Sequence, residues 1–316
     1  MILKYGERLQ YFKTKHLFII HNSSFITHHS SFLMNWSILY RGPLSGCNYS
    51  CDYCPFAKRK DSRAVLAADA EQLNKFVNWV ENRKNEAISI LFTPWGEALI
   101  RKHYQEAIIR LSLMPNVHKV SIQTNISCSL AWLEKCDKTK VALWTTFHPT
   151  QTTMTQFLDK CHELDTRQIK YSVGVVGFKE ALARIEDMRK KLPKQTYLWI
   201  NALKKEADYY SSDDLNRMMA TDPYVPFNLV NHPSKGQSCR AGNTTFSVNG
   251  AGDITRCHFI KDIIGNIYDA DFEENLFPRL CTNETCGCHI GYVHLEKLEL
   301  EKVFGERLLE RIAERF

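Results

Sequence analysis

The chain has 316 residues, 44% of them hydrophobic and 24% charged, which fits a folded globular protein and excludes a disordered or fibrous one. Its formal net charge of +6 is mild and scattered, which suits anionic partners and argues against nucleic-acid binding. No stretch approaches the roughly 18 apolar residues of a membrane span, and the early run HLFII (16–20) is too short for a signal peptide, so a cytoplasmic protein without membrane contact is expected.

Residues 1–33 are rich in Ser, His and Phe without a clean period, and are expected to be a dispensable extension before Met34. From there strands and helices alternate. WSILYR (36–41) reads as a buried strand, and the segment 70–83 places Leu73, Phe76, Val77 and Val80 at helical spacing. ISILFT (88–93) is a second strand, followed by a helix carrying Leu99, Ile100, Tyr104, Ala107, Ile108 and Leu111. KVSIQTN (119–125) is a third, with a short helix near 130–136. VALWTTF (141–147) and IKYSVGVV (169–176) are the fourth and fifth, followed by helices near 154–162 and over Leu182, Ile185, Met188 and Leu192. TYLWINAL (196–203) is a sixth strand.

Such alternation predicts parallel strands joined by right-handed crossovers, and strands apolar along their length suit a sheet covered on both faces. Six units are too few to close an eight-unit barrel. The expected fold class is therefore α/β: a partial (β/α)6 TIM-like barrel of parallel strands over 34–206, with its chemistry at the C-terminal strand ends. A Ser/Asp/Asn/Pro-rich stretch over 207–236 reads as a linker. A small Cys-rich C-terminal domain with a β-hairpin is expected over 237–291, and a charged amphipathic terminal helix over 292–316.

Eleven cysteines fall into groups. Cys47, Cys51 and Cys54 sit at C-x3-C-x2-C directly after the first strand, while Cys128, Cys136 and Cys161 are isolated. A closed zinc site takes four ligands, so three local thiolates leave it unfinished. A redox pair leaves Cys47 idle. An iron–sulfur cube held by three thiolates keeps one iron open to a substrate or cofactor.

With Tyr53 before the last cysteine, this loop resembles the C-x3-C-x-aromatic-C signature of the radical S-adenosylmethionine (radical SAM) superfamily. The resemblance implies a [4Fe-4S] cluster whose open iron chelates S-adenosylmethionine (AdoMet), and a 5′-deoxyadenosyl radical that takes hydrogen from substrate. It also implies that Gly96 and Glu97, in TPWGEAL (93–99), match part of the family's Gly-Gly-Glu-Pro motif, with Glu97 pairing the cofactor's ammonium; a plain helix-start glutamate is the other reading. Gln123, Thr124 and Asn125 resemble a Gln-Thr-Asn seen in peptide-modifying members, though they also suit an ordinary turn. Thr146 and His148 end the fourth strand, and His148 is a candidate proton acceptor or a structural histidine. Val175, Gly177 and Glu180 fit a weaker Gly-x-Ile-x-Gly-x-x-Glu pattern near the adenine, with Val173 in place of its first glycine.

The segment from Cys239 to Cys257 reads C-x12-G-x4-C and resembles the opening of the auxiliary-cluster domains called SPASM and, when shortened, twitch. The resemblance implies one auxiliary [4Fe-4S] cluster, with Cys239 and Cys257 as ligands and two more from Cys281, Cys286 and Cys288; a structural zinc is the competitor. A peptide or protein substrate and an external electron donor of flavodoxin or ferredoxin type are the implied partners. A small-molecule dehydrogenase and a non-catalytic iron–sulfur scaffold are the alternatives.

Overall fold

The computed structural model describes residues 34–56, 60–204, 208–305, 311–313 and 316. The extension expected over 1–33 lies outside the described residues. Six strands alternate with helices as the pattern predicts: β1 (Met34–Arg41), α1 (Arg63–Asn82), β2 (Glu86–Phe92), α2 (Lys102–Leu113), β3 (Val117–Thr124), β4 (Val141–Thr146), α3 (Met154–Thr166), β5 (Lys170–Val176), α4 (Leu182–Lys191) and β6 (Leu198–Asn201). Each strand pairs in parallel with the next. Local chemistry starts the helices. Ser62 accepts a hydrogen bond from the Val65 N–H, and Thr153 and Gln156 form a reciprocal cap on α3.

Strand alternation sends side chains to two apolar layers. Ile38, Tyr40, Ile90 and Phe92 pack under α1 and α2 with Phe76, Tyr104 and Ile108. Leu39, Leu91, Trp144 and Trp199 face the other way, where C-terminal residues Cys239, Ala241, Tyr292, Leu295 and Phe304 cover them. Gly174 makes room here: a Cβ on it would stand 1.9 Å from the Trp199 ring.

The C-terminal part differs from the expectation in three ways. First, its hairpin is not a separate layer. After β7 (His232–Pro233) and β8 (Ser238–Cys239), β9 (Thr245–Asn249) pairs in parallel with β1. β10 (Asp253–Cys257) and β11 (Ile260–Asn266) follow antiparallel, giving the sheet order β11-β10-β9-β1-β2-β3-β4-β5-β6. The free edge of β1 recruited them, because its backbone groups need partners.

Second, the stretch expected as a linker holds α5 (Ser212–Thr221) and α6 (Val225–Leu229). Ser211 and Asp214 cap α5 reciprocally. Asp222, fully buried between them, accepts from Tyr197 Oη at 2.6 Å and from the Ile200 and Tyr224 N–H groups at 2.9 and 3.0 Å. Polar composition hid the helices because these polar groups are caps and braces.

Third, the tail is no single helix. After β12 (Arg279–Leu280) and β13 (Thr285–Cys286) come α7 (His289–Tyr292), a 3-10 turn (Glu296–Leu298) and α8 (Glu301–Phe304). Glu299 at φ 50° and Gly305 at φ 89° interrupt it, because left-handed backbone ends a helix. The breaks let Leu295, Leu300 and Phe304 all reach the concave face of the sheet.

Asp222→Ala strands three donors in the interior, and a loss of about 3 kcal/mol in denaturant unfolding is expected. An unchanged midpoint would remove Asp222 as the brace of β6.

Candidate functional site

The first cysteine loop leaves the C-terminal end of β1 and is anchored by two carboxylates. Buried Asp69 accepts from the Leu44 N–H at 3.3 Å and from Tyr104 Oη at 3.1 Å, and contacts His103 Nε2 at 2.9 Å. Asp61 accepts from the Ser45 and Gly46 N–H groups at 3.1 and 2.7 Å and from Ser45 Oγ at 2.8 Å. Neither aspartate belongs to a motif, and nothing in the sequence separates them from surface acids.

The turn after β2 holds the loop from the other side. A Cβ on Gly96 would lie 1.9 Å from the Gly46 carbonyl oxygen, which also accepts from the Glu97 N–H at 3.1 Å. Glu97 is 2% exposed. Its carboxylate accepts from the Leu99 N–H at 3.0 Å, Thr124 Oγ at 2.8 Å and the Asn125 N–H at 2.5 Å. Burial lifts its pKa to about 7 against the pull of these donors. The side chain expected to meet a cofactor ammonium also joins the ends of β2 and β3.

Sulfur geometry follows from this frame. Cys47 Sγ accepts from the Tyr49 N–H at 3.3 Å and lies 3.9 Å from Asn125 Nδ2, which also donates to Asn48 Oδ1 at 3.1 Å. Cys51 and Cys54 are near enough to raise the Cys47 pKa further, after burial. His148 Nδ1 lies 3.4 Å from Cys51 Sγ and 3.0 Å from Tyr53 Oη, with the Tyr53 ring stacked on the imidazole. Burial lowers the His148 pKa to about 4, so its ring is neutral at neutral pH and a weak proton acceptor.

Gln123 and Thr146 share a strand face with Trp144, on the concave side. The remaining candidates are not gathered there. Val175 packs in the helix-side core, and Glu180 is exposed on the turn Lys179–Ala181. Gly177 allows close packing, since a Cβ would meet Ile200 at 2.7 Å.

The second group is assembled by pairing and by one arginine. β8 and β12 pair, bringing Cys239 opposite Arg279 and beside Cys281, and β13 pairs with β7 through Cys286 and His232. Buried Arg256 donates to the carbonyls of Ala241, Leu280 and Arg279 at 3.2, 2.8 and 3.0 Å, tying together the segments that carry Cys239, Cys257 and Cys281. Burial pushes the Cys286 thiol up to about 12, and neighbouring Cys257, Cys281, Cys239 and Cys288 add to the shift. Gly291 leaves the space for this sulfur: a Cβ would stand 2.7 Å from Cys286 Sγ. Cys288 also neighbours Cys286, while the cations acting on its own thiol are Arg311, Lys204 and Arg41.

None of the eleven cysteines is joined in a disulfide among the described residues. Backbone N–H groups point at several sulfurs: Tyr49 at Cys47, Ala241 at Cys239, Phe259 and Ile260 at Cys257, and Ile290 at Cys288. Among the described residues no three His, Cys, Asp or Glu side chains close on a single metal ion. Loose groups of sulfurs with N–H donors aimed at them, and a glycine cradle beside Cys286, fit iron–sulfur clusters, whose thiolates stand on different irons.

Gly96→Ala should displace the first loop and cut bound iron to about half while leaving far-UV circular dichroism unchanged; full iron loading would refute the contact's importance. Glu97 also sets a pH dependence. The folded protein holds its proton more tightly than the unfolded chain, so its contribution to stability is largest below about pH 4.5 and declines up to about pH 7. In chelator-treated protein, Glu97→Gln should flatten that decline, and an unchanged profile would exclude Glu97 as its source.

No family model matches the chain, and no curated protein matches it. Among solved structures, native anSMEcpe with bound AdoMet aligns at 17% identity and a TM-score of 0.54, covering 87% of this chain and 88% of that one. The same protein with bound AdoMet and Kp18Cys peptide aligns at 16% identity and a TM-score of 0.52, covering 75% of this chain and 82% of that one. At these identities the likeness is one of fold, which this chain shares with anSMEcpe.

Proposed function

We propose that this chain is a radical SAM enzyme acting on a peptide or protein substrate. The observation that carries this reading is the C-x3-C-x2-C loop at the C-terminal end of β1, clamped between Asp61 and Gly96, in a chain of this fold. Cys47, Cys51 and Cys54 would hold a [4Fe-4S] cluster, and with AdoMet bound that cluster would supply one-electron cleavage of AdoMet and hydrogen abstraction from the substrate.

The protein's own part is to position and to exclude water. The Tyr49 N–H and Asn125 amide stabilise charge on Cys47. His148 and Tyr53 pack the Cys51 side of the loop, and Glu97 fixes the turn whose backbone borders it. Gln123, Thr124, Asn125 and Thr146 lie at the ends of β3 and β4 and are proposed to border AdoMet, with Gly96 offering backbone, and the backbone around Val175, Gly177 and Glu180 is proposed to border its adenine.

Cys239, Cys257, Cys281 and Cys286 are proposed to hold one auxiliary [4Fe-4S] cluster, leaving Cys288 free of it. That cluster would accept the electron left on substrate, giving net two-electron oxidation. A peptide substrate is favoured because anSMEcpe, which shares the fold, is solved with a bound peptide. The electron donor is proposed to be an external flavodoxin or ferredoxin, and the compartment the cytoplasm.

The test is iron counting on anaerobically reconstituted protein, followed by dithionite and AdoMet. About eight irons per chain and formation of 5′-deoxyadenosine are expected. Changing Cys47, Cys51 and Cys54 together to Ala should leave about four irons and no 5′-deoxyadenosine. Cys286→Ala should lose the other cube, and Cys288→Ala should keep both. Two loaded cubes with neither 5′-deoxyadenosine nor a spectral response to AdoMet would leave a scaffold, and zinc at both sites would overturn the reading.

A further inference from the structure

Between the two cysteine groups runs a groove of about 410 Å³ on the concave side of β1, β9 and β10, lined in part by Arg41, Trp95, Ser247, Asp253, Thr255 and His258. Its lining reaches residues beside both groups. Trp95 packs against Phe56 of the first cysteine loop at 4.5 Å between ring centroids and precedes Gly96. On the far side His258 follows Cys257, and its Nε2 lies 2.7 Å from Thr93 Oγ.

Arg41 stands in this groove with no carboxylate paired to it among the described residues, and the one thiol acting on it is Cys288. Its Nε donates to the Thr93 carbonyl at 2.6 Å, and its guanidinium lies 3.9 Å over the Trp95 ring. Those two contacts fix the plane of the fork and leave both terminal nitrogens without a protein partner among the described residues. Asp253, the one carboxylate in the lining, is held by Asn249 and Asn266. Lys204 adds positive charge nearby, since it and Arg41 both act on the Cys288 thiol. Ser247 is 3% exposed, and its hydroxyl also lacks a partner among the described residues.

A half-buried cation with no carboxylate paired to it is costly to keep in a fold. An arginine stacked on an aromatic ring with its fork open is shaped for two parallel hydrogen bonds to a planar or tetrahedral oxyanion. We propose that this groove is a substrate subsite for an oxyanion, a carboxylate or a phosphate, anchored end-on by Arg41 and seated on Trp95 with Ser247 as a further donor. The proposal deepens the radical SAM reading and rests on it for the identity of the bound molecule as substrate. A molecule held there would lie between the AdoMet-binding loop and the auxiliary cysteines, where hydrogen abstraction and electron removal both reach it.

Inorganic phosphate and succinate are the probes, titrated at constant ionic strength into the full-length reconstituted protein while tryptophan fluorescence is followed. At least one anion should give a saturable change that Trp95→Phe removes and Arg41→Gln weakens about tenfold or more. Tighter phosphate binding would mark a phosphate-bearing substrate, and tighter succinate binding a carboxylate. If Arg41→Gln fails to fold, Arg41→Lys, which keeps the charge and loses the fork, should still weaken binding. The variant with Cys47, Cys51 and Cys54 all changed to Ala should bind the anion as the parent does, so loss of radical chemistry and loss of this subsite are read separately. No saturable response in the parent protein would overturn the proposal. So would unchanged anion binding in Arg41→Gln accompanied by loss of auxiliary iron, which would make Arg41 a partner of the cluster instead.

Discussion

Backbone pressed on backbone at Gly46 and Gly96 is the contact on which the rest of the site depends. No side chain fits there, because a Cβ would overlap the Gly46 carbonyl. The contact holds the cysteine loop against the end of β2, and Glu97 then carries the linkage on to β3 through Thr124 and Asn125. A buried carboxylate without a cation is tolerated only when donors surround it, and here two backbone N–H groups and a hydroxyl do so. Three strand ends are thereby set at fixed distances, which a catalytic loop on its own could not achieve.

The sulfurs inherit this rigidity. N–H groups two residues downstream turn toward Cys47, Cys239, Cys257 and Cys288. Such donors favour the thiolate that burial opposes, and hydrogen bonds to sulfur tune a cluster's potential. The two groups use one device on different scaffolds: the first on a strand-end loop, the second on short ladders stitched by Arg256.

Extending the sheet through β9 is what brings those scaffolds together. β9 lies directly beside β1, so the auxiliary cysteines come to cover the same concave face that the first loop borders. The groove between them collects Arg41 from β1, Trp95 from the turn after β2 and His258 from the turn after β10. None of the three is close to another in sequence. Their convergence is a product of strand order, and it leaves the Arg41 fork unpaired, since the groove's carboxylate, Asp253, is held by Asn249 and Asn266.

Much of this architecture was legible without coordinates. Period-3.6 and all-apolar segments marked the six β/α units, since burial on one helix face or on both strand faces dictates composition directly. C-x3-C-x2-C marked the loop at the end of β1, and Gly252 between Cys239 and Cys257 marked the hairpin, because cysteine spacing and turn chemistry are local. The helices α5 and α6 were hidden in polar sequence, for their caps and the buried Asp222 are polar residues that only packing separates from a linker. The roles of Asp61, Asp69 and Arg256, the cations gathered beside Cys288, and the open fork of Arg41 were decided by tertiary structure alone. Each depends on what a charged or thiol group faces across distances of tens of residues, and a sequence records the group but not its partner.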